Sequence, residues 1–523
     1  FIRQTTSVHP GSSLDPQLLD RTYAELKNRF NPVYGGFGPA PVFPMPHHIM
    51  FLLRHFRRTN DREALDMAVT TLVSMRAGGI YDHVGYGFHR YSTDEQWLVP
   101  HFEKMLYDQA LMAIAYTEAY QVTGRSDFRK TAEETLTYVL RELRTPEGLF
   151  AAAQDADSEA GEGRYYVWTV PEVRSVLGDR DFTIARDLFG LRDEGNFAEG
   201  SKDGLNIIHT KLHDAHLIER LGLKIDALAD KSESILEKLR LKRSGRKAPF
   251  KDYKALTDWN GLMIASLAKA GAAFGSETYT DAAMKAAEFL LNTMVVKGTL
   301  KHVYLAGTAR LEGGIDDYSF FIWGLIELYE STFKPHYLKA AMDLNTAFLK
   351  SFRDSGSGGF FSTSVNEAVP IARIKTATDN AIPSGNSVAM LNLLRLAGLT
   401  GETALRDLAA DTGKAFSGLV DRIPSAHTFM MCALDLMTGP SFEVVIAGEP
   451  DRLDTCDMIS AVRGRFLPNA VFRLKPPLMN EEEPSFLQGK TPIGNRSTAY
   501  VCTDLSCRKP TTDIKKMLEY LSS

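Results

Sequence analysis

Cysteine is nearly missing: the 523 residues hold four, at Cys432, Cys456, Cys502 and Cys507. That excludes the disulfide framework of small secreted domains. Cys432 and Cys456 stand alone and read as buried apolar residues. Cys502 and Cys507, in CTDLSC, have neither the redox CxxC spacing nor a second ligand pair for zinc, so a structural pair of thiols is the simpler reading. The balance of these features points to a reducing cytoplasm. No uninterrupted apolar run is long enough to span a bilayer, and no basic stretch followed by an apolar core marks a secretion signal. Net charge is −5 with both signs interspersed, which leaves no footprint for nucleic acid or an anionic membrane. A P-loop lysine, a GxGxxG after a strand and an HExxH are all lacking, so nucleotide and zinc-protease chemistry are poor readings. PSGNS, at Pro383–Ser387, is not the GxSxG elbow of serine hydrolases. Nothing implies a cofactor or a metal.

What is present is helix. The chain is 44% hydrophobic and 24% charged, ordinary for a globular protein, and long enough for one large domain plus a small one. Apolar residues three and four apart predict helices at Leu18–Phe30, Ile49–Phe56, Leu65–Met75, Phe102–Val122 and Thr131–Leu143. They resume at Ile225–Leu241, Thr257–Ala273, Tyr279–Met294, Asp317–Thr332, Tyr337–Phe352, Ser384–Leu399, Ala404–Val420 and Ala426–Met437. Glycine-aromatic turns (GGF, GGIY, GLF, GGFF) join many of them, so the pattern reads as repeated helical hairpins. Some helices, such as LMAIAYTEAY from Leu111, are apolar on all sides and must be buried. An inner ring shielded by an outer ring follows: a mainly α toroid of the (α/α)6 type, with six or seven hairpins, over residues 1–438. A β-rich insertion is expected near 150–208, where YYVWT is a strand signal. A small α/β unit is expected over 439–523, from strand FEVVIAG, helix Leu453–Phe466, strands Ala470–Leu474 and AYVC, and a last helix Thr512–Leu521. Met479–Lys490 reads as a linker loop.

The richest chemistry lies in GGIYDHVGYGFHRYSTDEQWLVPHFEKMLYD, Gly78–Asp108. His101, at the start of the predicted helix, shares a face with Met105 and Asp108, with Glu103 beside them, and an imidazole next to carboxylates suits proton transfer near neutral pH. Asp155 and Asp157 alternate in AAQDADSE as a candidate acid/base pair or sugar-hydroxyl clamp. These five residues are the candidate catalytic set. Candidate binding residues are Asp82, His83, His89, Arg90 and Trp97 from the same segment. Trp259 and Asn260 join them from TDWNGLMIA, where a flat ring would lie under a pyranose, as do Asp316, Asp317 and Tyr318 from a third helix start. Helix capping accounts for each acid singly; their recurrence at several helix starts is what suggests a shared cavity.

GGFGPAPVFPMP, GGIYDHVGYGFHRYSTDEQWLVPHFEKMLYDQA, AAQDADSE, YYVWT, TDWNGLMIA, DDYSF and PSGNS occur in one order, and together they resemble the spermatogenesis-associated protein 20 family. The resemblance covers nearly the whole chain, including CTDLSCRKP. It implies a helical toroid similar to six-hairpin glycosidases and N-acylglucosamine 2-epimerases, and a thioredoxin-like domain upstream of Phe1. Val42 stands where relatives tend to have Lys, and Tyr86 where many have Gly, which puts a Lys-dependent contact in doubt. Two functions are then expected alternatives. One is a carbohydrate-active enzyme, a sugar isomerase or epimerase or else a glycoside hydrolase, with a sugar-like ligand in the central cavity. The other is a ligand-binding or redox-adaptor protein working with a thioredoxin-like domain.

Overall fold

The structure is a computed structural model of the chain. It describes residues 11–159, 161–197, 204–211, 218–219, 224–367, 372–477, 487–503 and 506–522. Six helices form a closed inner ring, each touching the next: Pro46–Thr59, Leu106–Thr123, Thr257–Phe274, Ile315–Thr332, Gly385–Thr400 and Thr428–Thr438, the last returning to the first. These are the first to sixth inner helices below. The ring closes because these helices are apolar nearly all round: the second is buried without a break from Leu106 to Ala119, and the fifth from Gly385 to Leu399. Left-handed caps at Gly124 and Gly401 stop two of them and turn the chain straight into an outer partner. Outer helices Arg62–Ala77, Ser126–Tyr138, Glu277–Phe289, Pro335–Phe352 and Ala404–Val420 complete five hairpins. The sixth is made from the two ends of the domain, Gln17–Arg29 packing on Thr428–Thr438. The architecture is thus an (α/α)6 toroid.

One device recurs where the loops meet the ring. The side-chain amides of Gln109, Asn260 and Asn386, all fully buried near inner-helix starts, each bind both backbone groups of one aromatic residue in a preceding turn: Phe88, Phe150 and Phe360. Each of these three turns is thereby clamped to the next inner helix along the chain. Asn386→Ala would strand the buried N–H and C=O of Phe360, and about 2–3 kcal/mol of stability should be lost. Urea unfolding checks this; a loss under about 0.5 kcal/mol would remove the clamp's importance.

Several expectations change. The second inner helix begins at Leu106, not Phe102. Upstream of it, Pro100–His101 pairs with Tyr91–Ser92 and Lys104–Met105 with Ala153–Gln154, so strand partners claim the backbone first. His101 is therefore not on a helical face with Met105 and Asp108. Among the described residues of 150–208 the chain forms five two-residue strands and also a long helix, Val170–Leu188, kinked at Gly178. Cys456 is exposed rather than buried, while Cys432 is buried. Cys502 and Cys507 are bonded to each other across adjacent strands. In the C-terminal unit, strand Phe442–Ala447 pairs parallel with Ala470–Lys475 and antiparallel with Thr498–Thr503. Helices Leu453–Arg463 and Ile514–Tyr520 complete it. Of the expected loop Met479–Lys490, residues 479–486 lie outside the described residues. Tyr86 has φ 69°, the left-handed backbone that glycine adopts without strain. Val42 is buried and exchanges backbone hydrogen bonds with Ser92.

Candidate active site at the barrel mouth

The inner helices run parallel, and their first turns gather acidic side chains at one mouth: Asp108 on the second, Asp258 on the third, Asp316 and Asp317 on the fourth. Helix dipoles favour carboxylates there. Asp317 caps its own helix through Gly314 N (2.8 Å), accepts from Asp258 N (3.1 Å), and is ion-paired with His302 Nδ1 (2.8 Å). His302 stands on strand Thr299–Leu305, whose partner strands Ala255–Leu256 and Thr308–Glu312 fix it over the mouth. Asp258, His302 and Asp317 each offer a donor atom, all within 4.8 Å of one another. By donor type, two carboxylates and an imidazole could hold a divalent cation.

Electrostatics separates these acids. Burial, then the neighbouring Asp317 carboxylate, pushes the Asp258 carboxyl well above the usual range. The same two causes raise Asp316 to about 6, against a hydrogen bond from Gly385 N. The hydrogen bond to Asp317, more than burial opposes it, raises His302 to about 9. Asp108 is raised well above its ordinary value by burial, and its Oδ2 is buried without a hydrogen-bond partner among the described residues. The mouth therefore holds protonated or readily protonated carboxyls beside an imidazolium–carboxylate pair.

Beside them Trp259, part-exposed, meets Tyr107 edge to face at 4.9 Å, and Arg90 pairs with Glu103 at 3.1 Å. His101 stacks on Tyr91 and sets Nδ1 3.0 Å from Glu162 and Nε2 3.7 Å from Glu103. So Arg90, His101, Glu103, Asp108, Trp259, Asp316 and Asp317 lie on the short strands, loops or helix first turns of this face. Asp155 and Asp157 are exposed in the turn leading to Glu162, with Asp155 Oδ1 accepting from Asp157 N, and no hydrogen bond ties them to the Asp258 group among the described residues.

Other predicted residues are engaged inside the packing. His83 is 2% exposed, its two nitrogens on Arg76 and the Gly78 carbonyl. His89 is buried with Nδ1 on the Phe102 carbonyl. Burial holds both imidazoles below their ordinary range, neutral at pH 7. Asp82 is buried between Lys104 (2.7 Å) and Arg243 (2.8 Å). Trp97 is fully buried and donates to the Tyr34 carbonyl. Tyr318 accepts from Leu300 N in the core, and Asn260 clamps Phe150. As they stand, these groups face protein rather than a ligand. His302, which no sequence motif marked, joins the site from a hairpin; a lone histidine in an alternating strand carries no local signal.

No protein-family model matches the chain. Human spermatogenesis-associated protein 20 is 36% identical over 95% of this chain and 69% of its own length. An uncharacterized protein of Caenorhabditis elegans is 30% identical over 96% of this chain and 73% of its own length. Among solved structures, cellobiose 2-epimerase from Spirochaeta thermophila superposes with a TM-score of 0.50 at 13% identity, covering 81% of this chain and 96% of that one.

Proposed function

The chain belongs to the spermatogenesis-associated protein 20 family, and on the chemistry of its barrel mouth we propose that it acts on a carbohydrate, with carboxylic acids as the proton-transfer groups. The observation that carries this is the pair Asp258 and Asp316, held toward their neutral forms next to the His302–Asp317 ion pair. A carboxyl kept protonated near neutral pH is what the general acid of a glycosidase requires. A toroid shared with an epimerase of a disaccharide supplies a compatible scaffold, and Trp259 with Tyr107 supplies flat apolar faces for a sugar ring. Because His83 and His89 are sealed in the packing, a two-histidine epimerase mechanism has lost most of its candidates, and a hydrolase-like mechanism is preferred.

In this reading Asp316 donates the proton to the leaving oxygen, and Glu103, positioned by Arg90, accepts one from the attacking water. Asp258, kept neutral, donates a hydrogen bond to a sugar hydroxyl. A panel of aryl glycosides and reducing disaccharides tests it. Wild type should turn over at least one, and Asp316→Asn should lower kcat/KM about 100-fold or more. The acid must be protonated, so kcat/KM should fall as pH rises through about 6, and this limb should vanish in Asp316→Asn. A wild type inert on the whole panel, or Asp316→Asn within about threefold of it on every substrate, sinks the proposal.

A further inference from the structure

The other end of the barrel carries a second, unrelated chemistry. The carboxyl-terminal halves of the second, third and fourth inner helices, with Met50, Arg54, Leu391, Arg395 and Phe429 from the others, surround a cavity of about 110 Å³, roofed by the C-terminal α/β unit through Val462, Arg463, Phe466 and Phe472. A shallower cleft along Phe56, Arg57 and Leu518 shares Gln121, Arg465, Phe466 and Leu467 with it and leads outward between the two units. The walls are charged, unusually for the middle of a helical core. Arg54 is bidentate to Glu118 (2.8 and 3.1 Å), and Arg395 bridges Glu327 (2.6 Å) and Glu330 (2.7 Å). Those pairs satisfy each other.

Two further cations line the cavity, Lys269 loosely ion-paired and Arg463 with no carboxylate partner among the described residues. Lys269 Nζ stands 3.4 Å from Glu118 and 3.8 Å from Glu327, both already committed to arginines. Among the described residues, Arg463 donates hydrogen bonds only to main-chain carbonyls, of Glu330 and Ser331, and its Nε is buried with no partner. Burial brings its guanidinium down to about 10, as expected of a cation short of counter-charge. Counting the side chains that line the cavity, Arg54, Lys269, Arg395 and Arg463 face three carboxylates, Glu118, Glu327 and Glu330, and Arg465 adds a further positive group at the rim. Water can fill such a space but cannot neutralise it, and an uncompensated buried charge is expensive. Apolar rings complete the wall, Trp323 and Phe429 in contact at 5.2 Å and Phe466 with the Arg54 guanidinium 5.5 Å from its ring centre.

We propose that this cavity is a binding site for a small oxyanion on an apolar body, a carboxylate or phosphate held by Lys269 and Arg463 with its body against Trp323, Phe429 and Phe466. Because Lys269 belongs to the barrel and Arg463 to the α/β unit, the ligand would tie the two units together. This site is independent of the chemistry proposed for the opposite mouth.

Isothermal titration of the full chain with benzoate, phenyl phosphate and the neutral benzyl alcohol tests it. Saturable binding of at least one oxyanion is expected, with none for benzyl alcohol, and which oxyanion binds tells carboxylate from phosphate. Lys269→Gln should weaken that binding about tenfold or more, the loss of one charge-assisted hydrogen bond. Asp316→Asn should bind as wild type, since it touches only the other mouth. Should Lys269→Gln fail to fold, Arg463→Gln must weaken the same probe to a similar degree. No saturable heat from either oxyanion, equal binding of benzyl alcohol, or unchanged affinity in the folded variant would overturn the assignment.

Discussion

Asp82→Ala should bring the protein close to unfolding at room temperature. Asp82 is 6% exposed and takes up five donors: Oδ1 accepts from Val84 N, Gly85 N and Arg243 Nη1, Oδ2 from Lys104 Nζ and Arg243 Nη2. Burial alone would push its carboxyl up, but Arg243 and Lys104 outweigh burial and hold it well below the usual range. Removing it leaves two buried cations without a counter-charge, and breaking a buried pair in this way costs about 3–5 kcal/mol. Whole domains are stable by only about 5–15 kcal/mol, so most of the margin is at stake. A depressed carboxyl stabilises above its unfolded value and loses that contribution as pH falls through the acid range, so wild type should weaken on acidification while Asp82→Ala shows a flatter profile below about pH 4. Adding Lys104→Met to Asp82→Ala should recover part of the loss. A single-mutant cost under about 1 kcal/mol in urea would show that the cluster does not hold the loop.

Gly261→Ala is the second large effect, and it acts through sterics alone. The third and fourth inner helices cross where Gly261 faces Gly324: a Cβ on Gly261 would sit 2.6 Å from Phe321 N and 2.7 Å from Phe320 C. A Cβ on Gly324 would sit 2.7 Å from the Gly261 carbonyl oxygen. These are backbone atoms, so no rotamer can relieve the clash, and the helices must part. Alanine gains up to about 1 kcal/mol of helix propensity over glycine, but overpacking at a rigid contact costs about 1–3 kcal/mol or more and here exceeds it. A net loss of about 2 kcal/mol is expected from urea unfolding. A variant as stable as wild type would mean that the crossing is looser than drawn.

Much of the barrel is legible from spacing alone, because a helix buried on all sides must repeat apolar residues continuously. Ala404–Val420 and Thr257–Phe274 fall within a residue of their predicted ends. Asp108, Asp316 and Asp317 are legible too, as acids recurring at helix starts, whereas Asp258, beside the chosen Trp259, reads from sequence as no more than a helix cap. What local pattern could not show is who a side chain meets. Asn260 beside Trp259 looks like a sugar contact until Phe150, 110 positions away, takes both ends of its amide. His83 and His89 look reactive until Arg76 and two carbonyls occupy them. The cavity at the far end was signalled by single charges inside apolar helices, such as Glu118 within LMAIAYTEAY, a mark masked by the hydrophobicity around it.

The hairpin built from the two ends of the domain bears on how the chain is made. Arg21 and Glu25 of the first helix hydrogen-bond to Asp421 and Ser425, each pair 400 positions apart. Until Thr438 has left the ribosome, Leu18, Leu19 and Leu26 have no sixth inner helix to cover them, and the edges of the first and fifth inner helices lie open. Contacts this distant along the chain slow folding and prolong the life of apolar intermediates. Ring closure therefore comes late in biosynthesis, after nearly the whole barrel has been made.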